Sequence, residues 1–318
     1  MGNLGYFHDD PYALSLAYYT VAQASYFLNG ACFIKGGSQK LSTYLSEFIK
    51  SHGGDILLGN LVTELSITDG NITGISYRKK KVPDSEVFTA LADLFIYNGS
   101  IPGLKNILPE KYTGELEKDI AGELTGPSLL TVFLGFKRPP KEIGYKYYSA
   151  FIFDESIKSL SDIKKNNRAD FSKRSFTFIN YTQIDSGLAP SGKGEGVICC
   201  MDYLEDWTKL DEATYKSEKD RVARILIERL DKFIPGIKNE IEYCEVGTAK
   251  TVKRYTLNSG GATHGFVNTP SRKPPEVLKT IKNLHFASAW GKTGGGFSGA
   301  IYGGYLTALS VIRKSRVN

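Results

Sequence analysis

The densest chemical signal in this sequence is a run of glycines near its end. Gly294-Gly295-Gly296-Phe297-Ser298-Gly299 follows a strand-like stretch, Leu284 to Trp290, and opens a helical pattern carrying Ala300, Tyr302, Leu306, Leu309 and Ile312. The run matches G-x-G-x-x-G between a strand and a helix, the form of a dinucleotide-binding turn. Its surroundings exclude that reading. The sequence ends at Asn318, 19 residues after Gly299, which leaves no length for a second strand. None of those residues is acidic, so no ribose partner follows. What remains is a helix start whose unpaired N–H groups carry partial positive charge. Glycines there let a flat or anionic group come close to the backbone. The same glycines also suit a turn that packs the last helix tightly on its strand, and both readings stand.

Other residue types offer less. His264 lies in a loop, and His285 alternates along a buried strand, where a structural role is the simpler reading; histidine titrates near neutral pH. Neither is assigned as general acid or base, and the catalytic residues stay unknown. Cys32, Cys199, Cys200 and Cys244 contain no C-x-x-C pair, and the adjacent Cys199 and Cys200 point to opposite faces of a strand. No metal site and no disulfide framework is expected, and reduced thiols in a cytosolic protein are the default. The run Arg78-Lys79-Lys80-Lys81 reads as a solvated hairpin loop.

These residues must be carried by ordered elements. An apolar, aromatic helix or two fills the first 30 or so residues. Ser38 is a plausible N-cap for a helix with Leu41, Leu45, Phe48 and Ile49 on one face, ending at Gly53-Gly54 with His52 in its last turn. Asp55 to Leu58 looks like a short strand. Val62 to Thr68 and Ile72 to Tyr77 flank Asp69-Gly70-Asn71, a hairpin signal. Ala92 to Tyr97 reads as a buried strand ending at Asn98-Gly99-Ser100. The middle holds strand-like runs at Leu129 to Leu134, Tyr148 to Phe153, Ser175 to Tyr181 and Val197 to Met201. A helix there carries Val222, Ile225, Leu226, Leu230 and Phe233 on one stripe and stops at Pro235-Gly236. Strands with one covering helix imply an α+β subdomain.

With 318 residues, 41% of them hydrophobic and 23% charged, the chain can bury a sizeable core. A net charge of +6 does not call for nucleic acid. No run of about 18 apolar residues reads as a membrane-crossing helix. Met1-Gly2 lacks the Ser or Thr at position 6 that myristoylation requires, since Tyr6 stands there. The expected localisation is cytoplasmic, with peripheral membrane contact admitted.

The segment Asn283 to Trp290 followed by Gly294-Gly295-Gly296-Phe297-Ser298-Gly299-Ala300 resembles the C-terminal flavin-binding signature of phytoene-desaturase-type and carotenoid-isomerase-like enzymes, within the amine-oxidase flavoproteins. Gly36-Gly37-Ser38-Gln39 with its helix, the hairpin beginning at Val62, Ala92-Asp93 to Asn98-Gly99-Ser100, and Gly260-Gly261 to Pro270 agree with that family in order and spacing. The family normally begins with strand, G-x-G-x-x-G and helix, and none of these precedes Gly36 here.

The resemblance implies an α/β chain with an α+β substrate subdomain: a partial FAD/NAD(P)-binding, amine-oxidase-like fold with a mixed-sheet substrate domain. It implies three parts: a helical segment 1–35 facing the substrate region, the remainder of the FAD-binding domain at 36–108 and 255–318, and a substrate domain at 109–254. It implies FAD as cofactor, held by Val62, Trp290, Gly294, Gly295, Gly296, Phe297, Ser298, Gly299 and Ala300. Val62 belongs beside the adenine. The helix start belongs at the pyrimidine side of the ring, where a reduced flavin carries negative charge. The implied substrate is a hydrophobic small molecule, polyene or isoprenoid in type. Three expectations follow. The chain is a flavoenzyme part that works with a Rossmann-bearing partner or N-terminal part; or it keeps a degenerate, inactive pocket; or it is a non-catalytic binding protein for a hydrophobic ligand. Loss of a Rossmann half is expected to uncover one side of a sheet formed by Asp55 to Leu58, Ala92 to Tyr97 and Leu284 to Trp290.

Overall fold

The computed structural model describes residues 8–82, 84–272, 274 and 276–315. Two helices come first, α1 (Leu16–Asn29) and α2 (Gln39–Ser51). Four strands follow, β1 (Asn60–Thr68), β2 (Asn71–Lys79), β3 (Phe88–Ala90) and β4 (Phe95–Tyr97), then helix α3 (Glu110–Asp119). The middle contains β5 (Ser128–Phe136), β6 (Ser149–Ile152), α4 (Leu160–Asn167), β7 (Phe176–Asn180), β8 (Gly194–Asp202), α5 (Glu212–Phe233) and β9 (Ile241–Gly247). Helix α6 (Ala249–Thr256), strand β10 (Leu284–Phe286) and helix α7 (Gly296–Ser315) complete the order. Residues 1–7 of the expected helical segment 1–35 lie outside the described residues.

The chain divides into two compact units. One joins the residues up to Asp55 with Pro127–Tyr255, and the other joins Ile56–Gly126 with the residues from Thr256 onward. Relative to the expected parts, α2 goes to the first unit and α3 to the second. Packing explains both shifts. The Gly36 N–H just before α2 donates to the Ser186 carbonyl at 2.7 Å. Leu116 of α3, 1% exposed, is part of the second unit's core.

The first unit is built on a sheet of order β6-β7-β8-β5-β9. A mixed sheet was the expectation; every pairing is antiparallel. Strand alternation sends Leu130, Val132, Leu134 and Phe136 of β5 to one face, all at 0 or 1% exposure. Val222, Ala223, Leu226 and Leu230 of α5 meet them there. Each such burial is worth roughly 1.5–3 kcal/mol. Phe233, placed on the same stripe from sequence, is half-exposed instead, and Ala223 takes a core position. The ladder register puts Thr131, Phe133, Val197, Cys199, Thr177, Ile179 and Phe151 on the opposite face. Cys200 faces the core and Cys199 faces away from it, as alternation requires, and among the described residues no disulfide forms.

At the end of β8 sits a carboxylate with no solvent exposure. Asp202 accepts from Trp207 Nε1 at 2.9 and 3.0 Å and from the Ala249 N–H at 2.7 Å, which caps the start of α6. Burial pushes its carboxyl up to about 6, although the Trp207 and Ala249 donors and the Arg174 charge 3.9 Å away pull the other way.

The second unit begins with the hairpin β1–β2. Asp69 (φ 48°) and Gly70 (φ 73°) both take left-handed backbone, which matches the twist of a two-residue hairpin turn. Strand β3 adds to β2, and β4 pairs in parallel with β10. Asn283 joins the hairpin to the entry of β10: its Oδ1 accepts from the Ile72 N–H and its Nδ2 donates to the Ile72 carbonyl, both at 2.8 Å. Leu65, Ile72, Ile101, Leu104, Leu278, Ile281 and Trp290 form the core.

Several local expectations need correction. Asp55 to Leu58 forms no strand, and Leu57 and Leu58 stay exposed. A strand is held by its ladder, and no pairing reaches these residues. The expected strands at Ala92 to Tyr97 and Leu284 to Trp290 shrink to three residues each, because β4 and β10 pair only over that length. Ile96 is half-exposed, so β4 is not a buried strand. The sheet expected to lie uncovered therefore reduces to this pair. Ser38 occupies the N-cap position of α2, but its backbone is already helical and its side chain makes no cap bond. His52 does occupy the other end, with Nδ1 2.8 Å from the Phe48 carbonyl. The apolar stripe of α2 is not buried: Leu45, Phe48 and Ile49 are each about half-exposed.

Candidate flavin-ring turn

Strands β4 and β10 run parallel, and the chain leaves both at the same end of the pair. In open parallel sheets ligands gather outside the carboxyl ends of strands. Here that end is tied by a polar ladder. The Ala287 N–H donates to the Tyr97 carbonyl at 3.0 Å, and Asn98 Nδ2 donates to the Ala287 carbonyl. Ser288 Oγ donates to the Gly99 carbonyl at 2.7 Å and accepts from the Trp290 N–H at 3.2 Å. Tyr97, its phenol pushed up to about 12 by burial, donates to the Ser100 carbonyl at 3.0 Å.

From this end the chain climbs through the glycine turn into α7. Gly294 (φ 75°) and Gly296 (φ 78°) use backbone conformations that favour glycine. Gly295 and Gly299 are required for space. A Cβ on Gly295 would lie 2.5 Å from the His264 carbonyl oxygen, and one on Gly299 would lie 2.7 Å from that of Gly294. A Cβ on Gly296 would meet nothing within 4 Å. The turn is thus packed on its inner side and open on its outer side. Gly296 and Ser298 are exposed, as is Phe297 at 64%. The first turn of α7 holds no acidic side chain to neutralise its partial positive charge.

The structure brings Trp290 and Gly294 to Ala300 together in one strand–turn–helix. Ala300 is half-buried in the first turn of α7. The Trp290 side chain is 1% exposed and turned inward: its ring meets Phe266 edge-on at 4.9 Å, and Nε1 donates to Asn258 Oδ1 at 3.2 Å. That ring belongs to the second unit's core and is not a face presented to solvent. Val62, opposite Tyr77 on β1, packs against the same apolar cluster that buries Trp290. His264 touches the turn through its backbone. Its Nδ1 lies 2.9 Å from Thr263 Oγ1, and burial pushes the imidazole below its ordinary value, toward the neutral form. His285 stands on β10 opposite Ile96.

Sequence reasoning missed Asn258, Arg272 and Glu123, and gave Ser288 no role. Asn98 and Ser288 lie within segments that were singled out, though without a role assigned to them, and their polarity just past apolar strands was a usable signal. Arg272 and Glu123 gave none.

A flat group with negative charge at one edge fits the outer side of this turn. Close backbone approach is unobstructed at Gly296, and the helix start supplies fixed positive potential. The residues present therefore suit the ring end of a flavin.

Comparison with known proteins bears on the family and its cofactor. The family model described as flavin containing amine oxidoreductase matches residues 2–312. An all-trans-retinol 13,14-reductase from Danio rerio is 25% identical over 315 residues, covering 91% of this chain and 50% of that protein. A chloroplastic prolycopene isomerase 2 from an Oncidium hybrid cultivar is 26% identical over 247 residues, covering 76% of this chain and 38% of its own length. The chain spans half or less of the length of these curated relatives. Among solved structures, an oxidoreductase from Methanosarcina mazei superposes with a TM-score of 0.62 at 16% identity, covering 98% of this chain and 63% of that one.

Proposed function

The chain belongs to the flavin-containing amine oxidoreductases, and from that membership we propose that it supplies the flavin-ring side and the substrate wall of an FAD-dependent oxidoreductase acting on a hydrophobic, polyene- or isoprenoid-like molecule. FAD is the cofactor that goes with the family. The observation that carries the proposal is the glycine turn: closed inside by Gly295 and Gly299, open outside at Gly296, and set at the start of a helix with no acidic side chain in its first turn. The names of the relatives, a retinol reductase and a prolycopene isomerase, support a polyene substrate.

When bound, FAD supplies hydride or hydrogen exchange. The chain's part is to bind and orient. The amides at the start of α7 favour negative charge on the near edge of the ring, which stabilises its reduced form. The face of the first unit's sheet opposite its core carries Phe133 and Phe151, each about 40% exposed, beside Ile179 and the buried Val197, and offers an apolar wall for a hydrophobic substrate. Desaturation, saturation and isomerisation are all within this reading. No side chain is assigned a proton transfer.

In this reading the pyrophosphate is held by a G-x-G-x-x-G-bearing part, in a partner chain or elsewhere in the same polypeptide. The half-exposed apolar stripes of α2 and α7, including Phe48, Ile49, Ile301 and Tyr305, support such a cover. Cytoplasmic placement with peripheral membrane contact suits a substrate of low solubility. The test is reconstitution. The chain alone is expected to be colourless or to hold FAD weakly, and the nucleotide-binding part is expected to restore a yellow complex. Tight FAD binding by the chain alone would remove the need for that part. Retention of lipid-like ligands with no flavin under any pairing would establish instead a non-catalytic binding protein.

A further inference from the structure

Arg272 lies in a loop beneath the glycine turn and is held from several sides. Its Nε donates to Glu123 Oε2 at 2.7 Å and its Nη1 to Asn268 Oδ1 at 2.8 Å. Its Nη2 is shared between the carbonyls of Trp290 and Gly291, at 3.4 Å each. The guanidinium carbon lies 5.7 Å from the centre of the Phe266 ring, which itself abuts Trp290. The two charged side chains are 6% and 7% exposed. Apolar residues of similar volume often serve stability as well as a buried ion pair does. Stability alone is therefore a weak reason for this one.

Geometry supplies a better reason. The planar guanidinium presents its donors in a fixed fork, and here one nitrogen reaches two successive carbonyls just upstream of Gly294. In a trans peptide the C=O and N–H point in opposite directions. Drawing the Trp290 and Gly291 carbonyls inward therefore turns the Gly291 and Lys292 amides away from Arg272. The first of these donates to the Ser288 carbonyl at 2.9 Å, which links it to the ladder at the strand ends. Arg272 thus fixes peptide planes immediately before the turn. The carboxylate of Glu123 lets that positive charge stay buried.

We propose that the buried Arg272–Glu123 pair is the positioning device of the flavin-ring turn, setting the peptide orientation through which α7 presents its amides. The proposal rests on the reading of Gly294 to Gly299 as the ring side of the flavin site. Arg272 acts through the turn and is a positioning residue.

The experiment uses Arg272→Lys, Arg272→Gln and the double variant Arg272→Met with Glu123→Leu. The double variant leaves no unpaired buried charge, so it separates lost positioning from lost folding. Leu226→Ala in the first unit's core is the destabilised control. Two readouts are taken. Hydrogen exchange across residues 290–299 is followed in the chain as it stands. FAD affinity, the flavin absorption bands and the midpoint potential are followed in the protein reconstituted with the nucleotide-binding part and FAD. The double variant is expected to speed exchange across 290–299, weaken FAD binding by about tenfold, the scale on which lost supporting contacts act, and lower the potential. Arg272→Gln should do the same. Arg272→Lys keeps the charge but not the fork, and should show the exchange and potential changes in weaker form. Leu226→Ala should lower stability without moving the potential. Wild-type exchange across 290–299 in the folded double variant would overturn the proposal, as would an unmoved potential in its flavin-loaded form. Failure of the wild-type protein to take up flavin even when reconstituted with the nucleotide-binding part would overturn the parent reading alone, because the exchange experiment needs no flavin.

Discussion

Alanine at two adjacent glycines separates packing from ligand approach. At Gly296 the added methyl meets nothing within 4 Å, and the cost comes from the backbone, at φ 78°. Left-handed backbone costs an L-residue about 1–2 kcal/mol. Alanine returns roughly 0.4–1 kcal/mol of that by restricting the unfolded chain. Gly296→Ala should therefore lower stability by about 0–1.6 kcal/mol. At Gly295 the methyl would sit 2.5 Å from the His264 carbonyl oxygen and 2.7 Å from His264 Cα. Both are backbone atoms that a rotamer change cannot move, so Gly295→Ala should cost about 1–3 kcal/mol, the range for overpacked sites. Flavin affinity should follow a different order. The Gly296 methyl stands on the outer side, where the ring edge approaches, and should weaken FAD binding by about tenfold, or about 1.4 kcal/mol. Denaturant unfolding of the flavin-free chain gives the first quantity. Fluorescence titration of FAD in the reconstituted protein gives the second. Gly296→Ala with wild-type FAD affinity would refute the assignment of the outer side to the ring.

Asp202 titrates in a distinct window. Its folded value of about 6 lies above the 3.8 of an ordinary carboxyl, so the folded state holds the proton more tightly. The resulting stability is complete below about pH 4 and is lost as pH rises through about 6, up to about 3 kcal/mol in all. Asp202→Asn should flatten unfolding free energy between pH 4 and 6, and parallel curves for the two proteins would contradict the assignment. Leu226→Ala, at a fully buried position of α5, should destabilise by about 2–5 kcal/mol in chemical denaturation. Ser288→Ala leaves the Gly99 carbonyl and the Trp290 N–H without their shared hydroxyl, and should cost about 1–3 kcal/mol and weaken FAD retention. Phe48→Glu, on the half-exposed stripe of α2, should change the chain's own stability by less than about 0.5 kcal/mol while reducing capture of the nucleotide-binding part in a pull-down.

Elements whose cause is local could be read from sequence. Asp69-Gly70 fixes its turn through the conformations those two residues accept, and the hairpin follows. The repeat of Val222, Leu226 and Leu230 marks the buried face of α5 because that face meets one sheet. Elements whose cause is distant could not be read. The edge strand β9, Ile-Glu-Tyr-Cys-Glu-Val-Gly, alternates poorly and is stabilised by pairing with β5. The segment Asp55 to Leu58 has strand-forming residues but no pairing strand, and without a ladder it runs into the turn at Leu58. In the candidate site, the glycines were legible because few residues adopt Gly294's backbone or fit at Gly295. Arg272 was not, since an arginine among prolines and lysines reads as solvated. Its meaning depends on Glu123, 149 residues earlier.

That separation follows from how the second unit is assembled. Its two chain segments, Ile56–Gly126 and the residues from Thr256 onward, are interrupted by most of the first unit. Several ties around the turn join one segment to the other: Asn98 and Gly99 with Ala287 and Ser288, Ile72 with Asn283, and Glu123 with Arg272. The turn's geometry is therefore a property of the closed unit and is absent from either segment alone. Closing so long a loop costs only logarithmically more entropy than closing a short one. A handful of buried polar ties, each worth about 1 kcal/mol or more, is enough to hold the ends in register. Glycines can then be placed for what the outer side of the turn must admit, because the burden of holding the turn lies on Ser288, Asn283 and the buried Arg272–Glu123 pair beneath it.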